Sequence, residues 1–195
     1  MKTRIAIFAS GNGTNAETIM RHFSAVGAAR QAGKAEVVLV VTNRREAGVV
    51  ERAERLNIEC VYLPRDAWSG GNEVLSLLRS REIDFIVLAG FLLLLPRAVV
   101  EAYPRRIVNI HPALLPKFGG RGMYGMNVHE AVIEAGETES GITIHFVDEA
   151  YDHGEVIAQY RCPVLPGDTP GMLAARIQTL EYAWYPEVIE KIVNG

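Results

Sequence analysis

Two side chains in the segment Ile107-Val108-Asn109-Ile110-His111-Pro112 are suited to acyl chemistry. An amide N–H can hold a developing oxyanion, and a nearby imidazole can give or take protons. In an extended strand, residues two apart share a face, so Asn109 and His111 point the same way while Val108 and Ile110 face the other. Pro112 lacks a backbone donor and restricts His111 to extended conformations, which ends the strand there. The pair therefore stands at a strand's carboxyl end, where open α/β sheets bind ligands. An isolated Asn-x-His is more often a turn-capping amide beside a structural ring, so its chemical meaning depends on what accompanies it.

The rest of the chain supplies elements to position such a pair. Residues 4–9 form a continuous apolar run, as a strand buried on both faces does. Ser10-Gly11-Asn12-Gly13-Thr14-Asn15 follows, then a helix from Ala16 to about Ala28. A strand, a glycine turn and a helix aim backbone N–H groups at an anion, or else simply reverse the chain. No Lys-Ser/Thr follows, so the turn is not a Walker loop, and Ala16 replaces the third glycine of a dinucleotide fingerprint. Strands are expected at 36–42, 58–63 and 84–89, with helices at 45–56 and 72–81 and a turn at Pro64-Arg65-Asp66. This alternation predicts an α/β fold with a doubly wound, mostly parallel sheet, Rossmann-like in its N-terminal half. Phe91-Leu92-Leu93-Leu94-Leu95 leaves the fourth strand, either as core or as an apolar wall for a flat ring. A short helix from Pro96 to Tyr103 precedes the Asn109–His111 strand. The glycine loop at 117–122 is placed to act as a lid, and a helix spans 127–135. Strands at 140–148 and 155–164 form an antiparallel hairpin. Thr169 caps a long C-terminal helix with Pro170 in its first turn, running to about Val193 with a possible kink at Pro186.

The chain has 195 residues, half of them hydrophobic, and a formal charge of −3. That size suits one domain, with an N-terminal half at about 1–103 and a C-terminal half at about 104–195. The charge leaves no electrostatic footprint for nucleic acid or an anionic membrane. Cys60 and Cys162 lie far apart without CxxC spacing, so a cytoplasmic location is expected. No signal peptide is visible, and the apolar run at 85–95 is too short to span a bilayer.

Asn109-Ile110-His111-Pro112-Ala113-Leu114-Leu115-Pro116-Lys117, with Asp152 in a glycine-containing loop, resembles the folate-dependent formyltransferases over essentially the whole chain. The first glycine loop and Gln178-Thr179-Leu180-Glu181 are similar to the branch that acts on glycinamide ribonucleotide. The resemblance implies formyl transfer from 10-formyltetrahydrofolate to that nucleotide's amine, with Asn109, His111 and Asp152 as the catalytic trio. It further implies substrate contacts from Gly13, Thr14, Asn15, Gln178 and Glu181. Folate contacts fall on Arg65, Phe91, Leu92, Leu95, Val147, Asp148 and Asp152. Three departures from the family pattern stand out. Leu92-Leu93 replaces Met-Arg, Lys117-Phe118-Gly119-Gly120 replaces Lys-Tyr-Pro-Gly with a longer continuation to Met126, and Asp152-His153-Gly154 replaces Asp-Gly-Gly.

In this scheme Asp152 orients His111 and favours its charged form. One His, one Asp and one Asn do not make a zinc set, so no metal is expected. His129 and His145 read as surface or structural residues, whereas His153 stays open because of its neighbour Asp152. Two competitors share the motif. A formyltetrahydrofolate hydrolase would use water as nucleophile and usually carries an N-terminal regulatory domain, whereas this chain begins at its first strand. A methionyl-tRNA formyltransferase would carry more positive charge and an RNA-binding domain. A non-catalytic nucleotide-binding module would use only the first glycine loop. Monomer and homodimer are both open.

Overall fold

The computed structural model describes residues 2–24 and 34–195. Its strands are β1 (Thr3–Phe8), β2 (Ala35–Thr42), β3 (Glu59–Tyr62), β4 (Phe85–Leu88), β5 (Ile107–His111), β6 (Glu139–Phe146) and β7 (Val156–Pro163). The helices are α1 (Thr14–Phe23), α2 (Gly48–Arg55), α3 (Asn72–Ser80), α4 (Arg97–Ala102), α5 (Met126–Glu134) and α6 (Pro170–Asn194). One sheet contains all seven strands in the order β3-β2-β1-β4-β5-β6-β7. Pairing is parallel from β3 through β5. Both β5 with β6 and β6 with β7 pair antiparallel. The expected hairpin is present, and β6 also lies directly against the Asn109–His111 strand.

Alternation along the strands divides the core into two layers. Ile5, Ile7, Val40, Val87, Val108 and Ile144 pack with residues of α1, α2, α5 and α6. Ala6, Phe8, Leu39, Val41, Ile86 and Ile107 face α3, α4 and Trp68 on the other side. Helices on both faces of a sheet that reverses order between β1 and β4 make the fold doubly wound, as the alternation predicts.

Local chemistry moves several boundaries. Helix α2 starts at Gly48 because Ala47 is extended (φ −67°, ψ 132°) and residues 44–47 form a turn closed by the Ala47 N–H on the Arg44 carbonyl. Residues Arg65–Trp68 coil into one 3₁₀ turn. Helix α1 begins at Thr14, and the part of the expected helix at 25–28 lies outside the described residues. At the start of α6 the Thr169 hydroxyl accepts the Met172 N–H at 3.3 Å, and Pro186 sits inside a continuous helix of 25 residues. Among the described residues no helix is long and apolar enough to cross a membrane.

Candidate active site

A cavity of about 670 Å³ opens at the carboxyl ends of β4 and β5. That volume lies in the usual range for small-molecule sites. It is lined by Asn109, His111 and Asp152, and by residues 90–95, 120–126 and Val147. Asn15 of α1, His129 of α5 and Gln178 with Glu181 of α6 complete the wall. The topological switch between β1 and β4 fixes this place. There the Ser10 N–H bonds the Gly90 carbonyl at 3.1 Å, and the Ser10 hydroxyl accepts the Leu92 N–H at 3.0 Å.

His111 is 3% exposed and stands between two acceptors. Its Nε2 lies 2.7 Å from the Phe118 carbonyl, and its Nδ1 lies 3.4 Å from Asp152 Oδ2. A carbonyl only accepts, so Nε2 carries a proton. Nδ1 is therefore the nitrogen free to titrate, and it does so beside a carboxylate. Burial lowers the imidazole's pKa, and the presence of His145 lowers it further. Asp152 and the Phe118 carbonyl pull the other way without overcoming burial. Asp152 thus favours the charged form, but desolvation outweighs the ion pair and holds the ring's pKa below the ordinary histidine value.

The Asp152 carboxylate is gathered from three directions. Oδ2 accepts the Gly120 N–H at 2.9 Å, and Oδ1 accepts a longer 3.4 Å bond from Asn109 Nδ2. Burial alone would raise its pKa, but His145, His111 and the Gly120 N–H outweigh that and hold it below the ordinary carboxylate value. Its loop depends on Gly154, where an added Cβ would lie 1.9 Å from the Phe146 carbonyl oxygen. Asp148 shapes the same loop, accepting the Ala150 N–H at 2.9 Å and pairing with His153 Nδ1 at 2.7 Å. Neither Asp148 nor His153 lines the cavity.

Asn109 sits opposite His145 in the β5–β6 pairing. Its Nδ2 lies 3.1 Å from His145 Nε2, while His145 Nδ1 lies 2.8 Å from the Phe146 carbonyl. That carbonyl requires the proton on Nδ1, so Nε2 accepts from the amide. His145, read from the sequence as structural, is therefore an orienting partner of Asn109. The signal was the β5–β6 register, which the hydropathy of either strand alone does not carry. One amide hydrogen is fixed by His145, and the other makes only the long bond to Asp152, leaving it available to an incoming oxygen.

Below the site, Thr143 fixes the turn after Pro112. Its hydroxyl donates to the Ala113 carbonyl at 2.7 Å and accepts from the Leu115 N–H at 3.0 Å and Gln159 Nε2 at 2.9 Å.

The remaining expected contacts divide. Asn15 Nδ2 donates to Glu181 Oε2 at 2.9 Å, which joins α1 to α6 at the cavity wall. Burial raises the Glu181 pKa despite that bond. Gly13 and Thr14 do not line the cavity. Gly13 is instead the left-handed N-cap of α1 (φ 77°), and a Cβ there would lie 2.5 Å from Val49 Cβ. Phe91, Leu92 and Leu95 all reach the cavity, with the Phe91 ring tilted 45° against Trp68 at 4.6 Å between ring centroids. Leu95 is buried and Leu92 exposed, so the leucine run serves as both core and wall. Arg65 lies exposed on its 3₁₀ turn, outside the cavity lining.

Fold and site define an α/β ligand-binding protein whose switch-point cavity holds acid–base groups. The chain belongs to the formyl transferase family, which it matches over residues 3–189. It is 42% identical to a chloroplastic phosphoribosylglycinamide formyltransferase of Arabidopsis thaliana, across 98% of this chain and 65% of that protein. It spans 61% of a similar Vigna unguiculata protein. To the phosphoribosylglycinamide formyltransferase of Bacillus subtilis it is 34% identical, covering 98% of this chain and 95% of that one. The crystal structure of the Streptococcus pneumoniae TIGR4 phosphoribosylglycinamide formyltransferase superposes with a TM-score of 0.84 at 37% identity, covering 98% of this chain and 99% of that one.

Proposed function

We propose that this protein transfers a formyl group from 10-formyltetrahydrofolate to the amine of glycinamide ribonucleotide. The products are formylglycinamide ribonucleotide and tetrahydrofolate. The observation that carries the proposal is the meeting of Asn109, His111 and Asp152 in one cavity with the apolar wall at 91–95. The activities in the relatives' names support it.

In this mechanism the amine attacks the formyl carbon, and the carbonyl oxygen becomes an oxyanion. Asn109 donates to it through the amide hydrogen that His145 leaves free. The amine loses a proton as the C–N bond forms, and the departing folate nitrogen gains one as its bond to carbon breaks. His111 Nδ1 serves both steps as the shuttle, directly or through water. A neutral buried imidazole is ready to accept that proton, and Asp152 stabilises the imidazolium that results. Residues 91–95 and Val147 take the pteridine, while Asn15, Gln178 and Glu181 take the ribose phosphate side. The proposed mechanism has no step that requires a metal. Residues of both halves, about 1–103 and 104–195, contribute to the site, and we treat them as one functional domain. The two unpaired cysteines suit a cytoplasmic, reducing setting.

The test is formyl transfer with glycinamide ribonucleotide and 10-formyltetrahydrofolate, beside a control without nucleotide. Formylated nucleotide appearing with tetrahydrofolate in equal amounts is the expected result. Folate deformylation that ignores the nucleotide would overturn the proposal in favour of a hydrolase.

A further inference from the structure

Among the described residues, four buried side-chain polar atoms have no hydrogen-bond partner: Asn43 Oδ1, His129 Nδ1, Ser140 Oγ and Asn194 Oδ1. Of the four residues, His129 is the one that lines the cavity. It is 6% exposed, in the first turn of α5. The other buried histidines differ. His145 has a partner at each ring nitrogen, and His111 stands between a carbonyl and a carboxylate. A buried polar atom left unpaired destabilises the fold, and a binding wall is where such a cost is retained for a ligand to relieve.

The location narrows the ligand group. On one side His129 shares the cavity wall with His111. On the other, α5 packs on α6, which carries Gln178 and Glu181. We propose that His129 is a further substrate-contacting residue, hydrogen-bonded to the amide that joins the ribose to the aminomethyl group of the nucleotide. This rests on the proposed function, in which the nucleotide runs from Asn15, Gln178 and Glu181 to His111. The amide then lies between those points, and a ring with an unpartnered Nδ1 suits a group that can donate or accept. His129 thereby reads the part of the nucleotide that distinguishes it from a plain sugar phosphate.

Calorimetry with two probes tests this. In His129→Phe, which fills similar space without nitrogen, glycinamide ribonucleotide should bind roughly tenfold more weakly, as expected for one lost hydrogen bond. Ribose 5-phosphate, which lacks the amide, should bind as it does to wild type. Melting temperature should hold or rise, because the unpaired atom is gone, whereas a purely structural histidine would leave the variant less stable. His129→Gln restores a polar group, should recover part of the loss, and is read in the same way if His129→Phe does not fold. Unchanged nucleotide affinity in the folded variant, or equal weakening of both probes, would overturn the assignment. Wild-type protein that ignores glycinamide ribonucleotide would instead count against the proposed function itself.

Discussion

His111 owes its acting nitrogen to a backbone carbonyl. With Nε2 committed to Phe118, all of its acid–base chemistry passes through Nδ1, beside Asp152. Phe118 and Asp152 are also non-glycine residues at positive φ, 56° and 53°. Such backbone is sparsely populated and recurs at functional sites. Replacing Asp152 with Asn removes the larger of the two influences that oppose burial, so the His111 pKa should fall further below the ordinary histidine value. The limb of the kcat/KM profile governed by His111 should move to lower pH, and formyl transfer should drop by roughly 10²–10⁴-fold. Titration of His111 by NMR checks the cause directly. An unchanged His111 with near-normal turnover would remove Asp152 from the mechanism.

The same groups set an acid dependence of stability. His111 titrates lower when folded than when unfolded, so its contribution is intact above the ordinary histidine range and is lost as pH falls through that range toward its folded value. Asp152 also titrates lower when folded, so its contribution is lost at more acidic pH, below the ordinary carboxylate range. Asp152→Asn should shrink the lower step, leaving the part due to other lowered carboxylates such as Glu17 and Asp148, and deepen the upper one in a plot of melting temperature against pH.

At the scale of elements, the β/α alternation was legible because fully buried strands have to be apolar on both faces. The Asn109–His111 strand and its end at Pro112 were legible for the same local reasons. Long-range partnerships were not. His145 became meaningful only through its register with Asn109, and Asn15 through its bond to Glu181, 166 positions away. Gly13 shows the reverse ambiguity. Val49 leaves no room for a side chain there whether or not phosphate binds, so Gly13→Val should lower stability and cannot report on the ligand. Asn15→Ala is the informative change: KM for the nucleotide should rise about tenfold while KM for folate stays within twofold, as expected for loss of one polar contact. Equal effects on both substrates would place Asn15 outside the nucleotide site. On the opposite wall, Leu92 is exposed enough to be changed without opening the core. Leu92→Asp should weaken binding of a folate analogue by at least about tenfold and leave nucleotide binding intact, since a carboxylate cannot be buried against a ring without large desolvation cost. Normal analogue binding would reduce the leucine run to core alone.

For the whole molecule, the decisive element is α6. It buries Leu173, Ile177, Tyr185, Val188 and Ile189 against the sheet. It also brings Gln178 and Glu181 to the cavity. Through its hydroxyl, Tyr185 reaches the carbonyls of Leu88 at 2.9 Å and Val108 at 3.2 Å, and so ties α6 to both β4 and β5. A chain ending at Asp168 should keep much of its β-structure by circular dichroism, bind an apolar dye at the uncovered sheet, and show no measurable affinity for the nucleotide. Retained nucleotide affinity would mean that α6 only stabilises the fold.

The Tyr185 bridge also has a temporal side. At about 5–20 residues per second, on the order of 5–20 s of synthesis separate β4 from the helix that clasps it. Throughout that interval the part of the sheet that α6 covers stays exposed, and the cavity lacks Gln178 and Glu181. Under the proposed function, competence for the nucleotide should therefore arrive only with α6, so that ligand capture by a growing chain would time the completion of its fold.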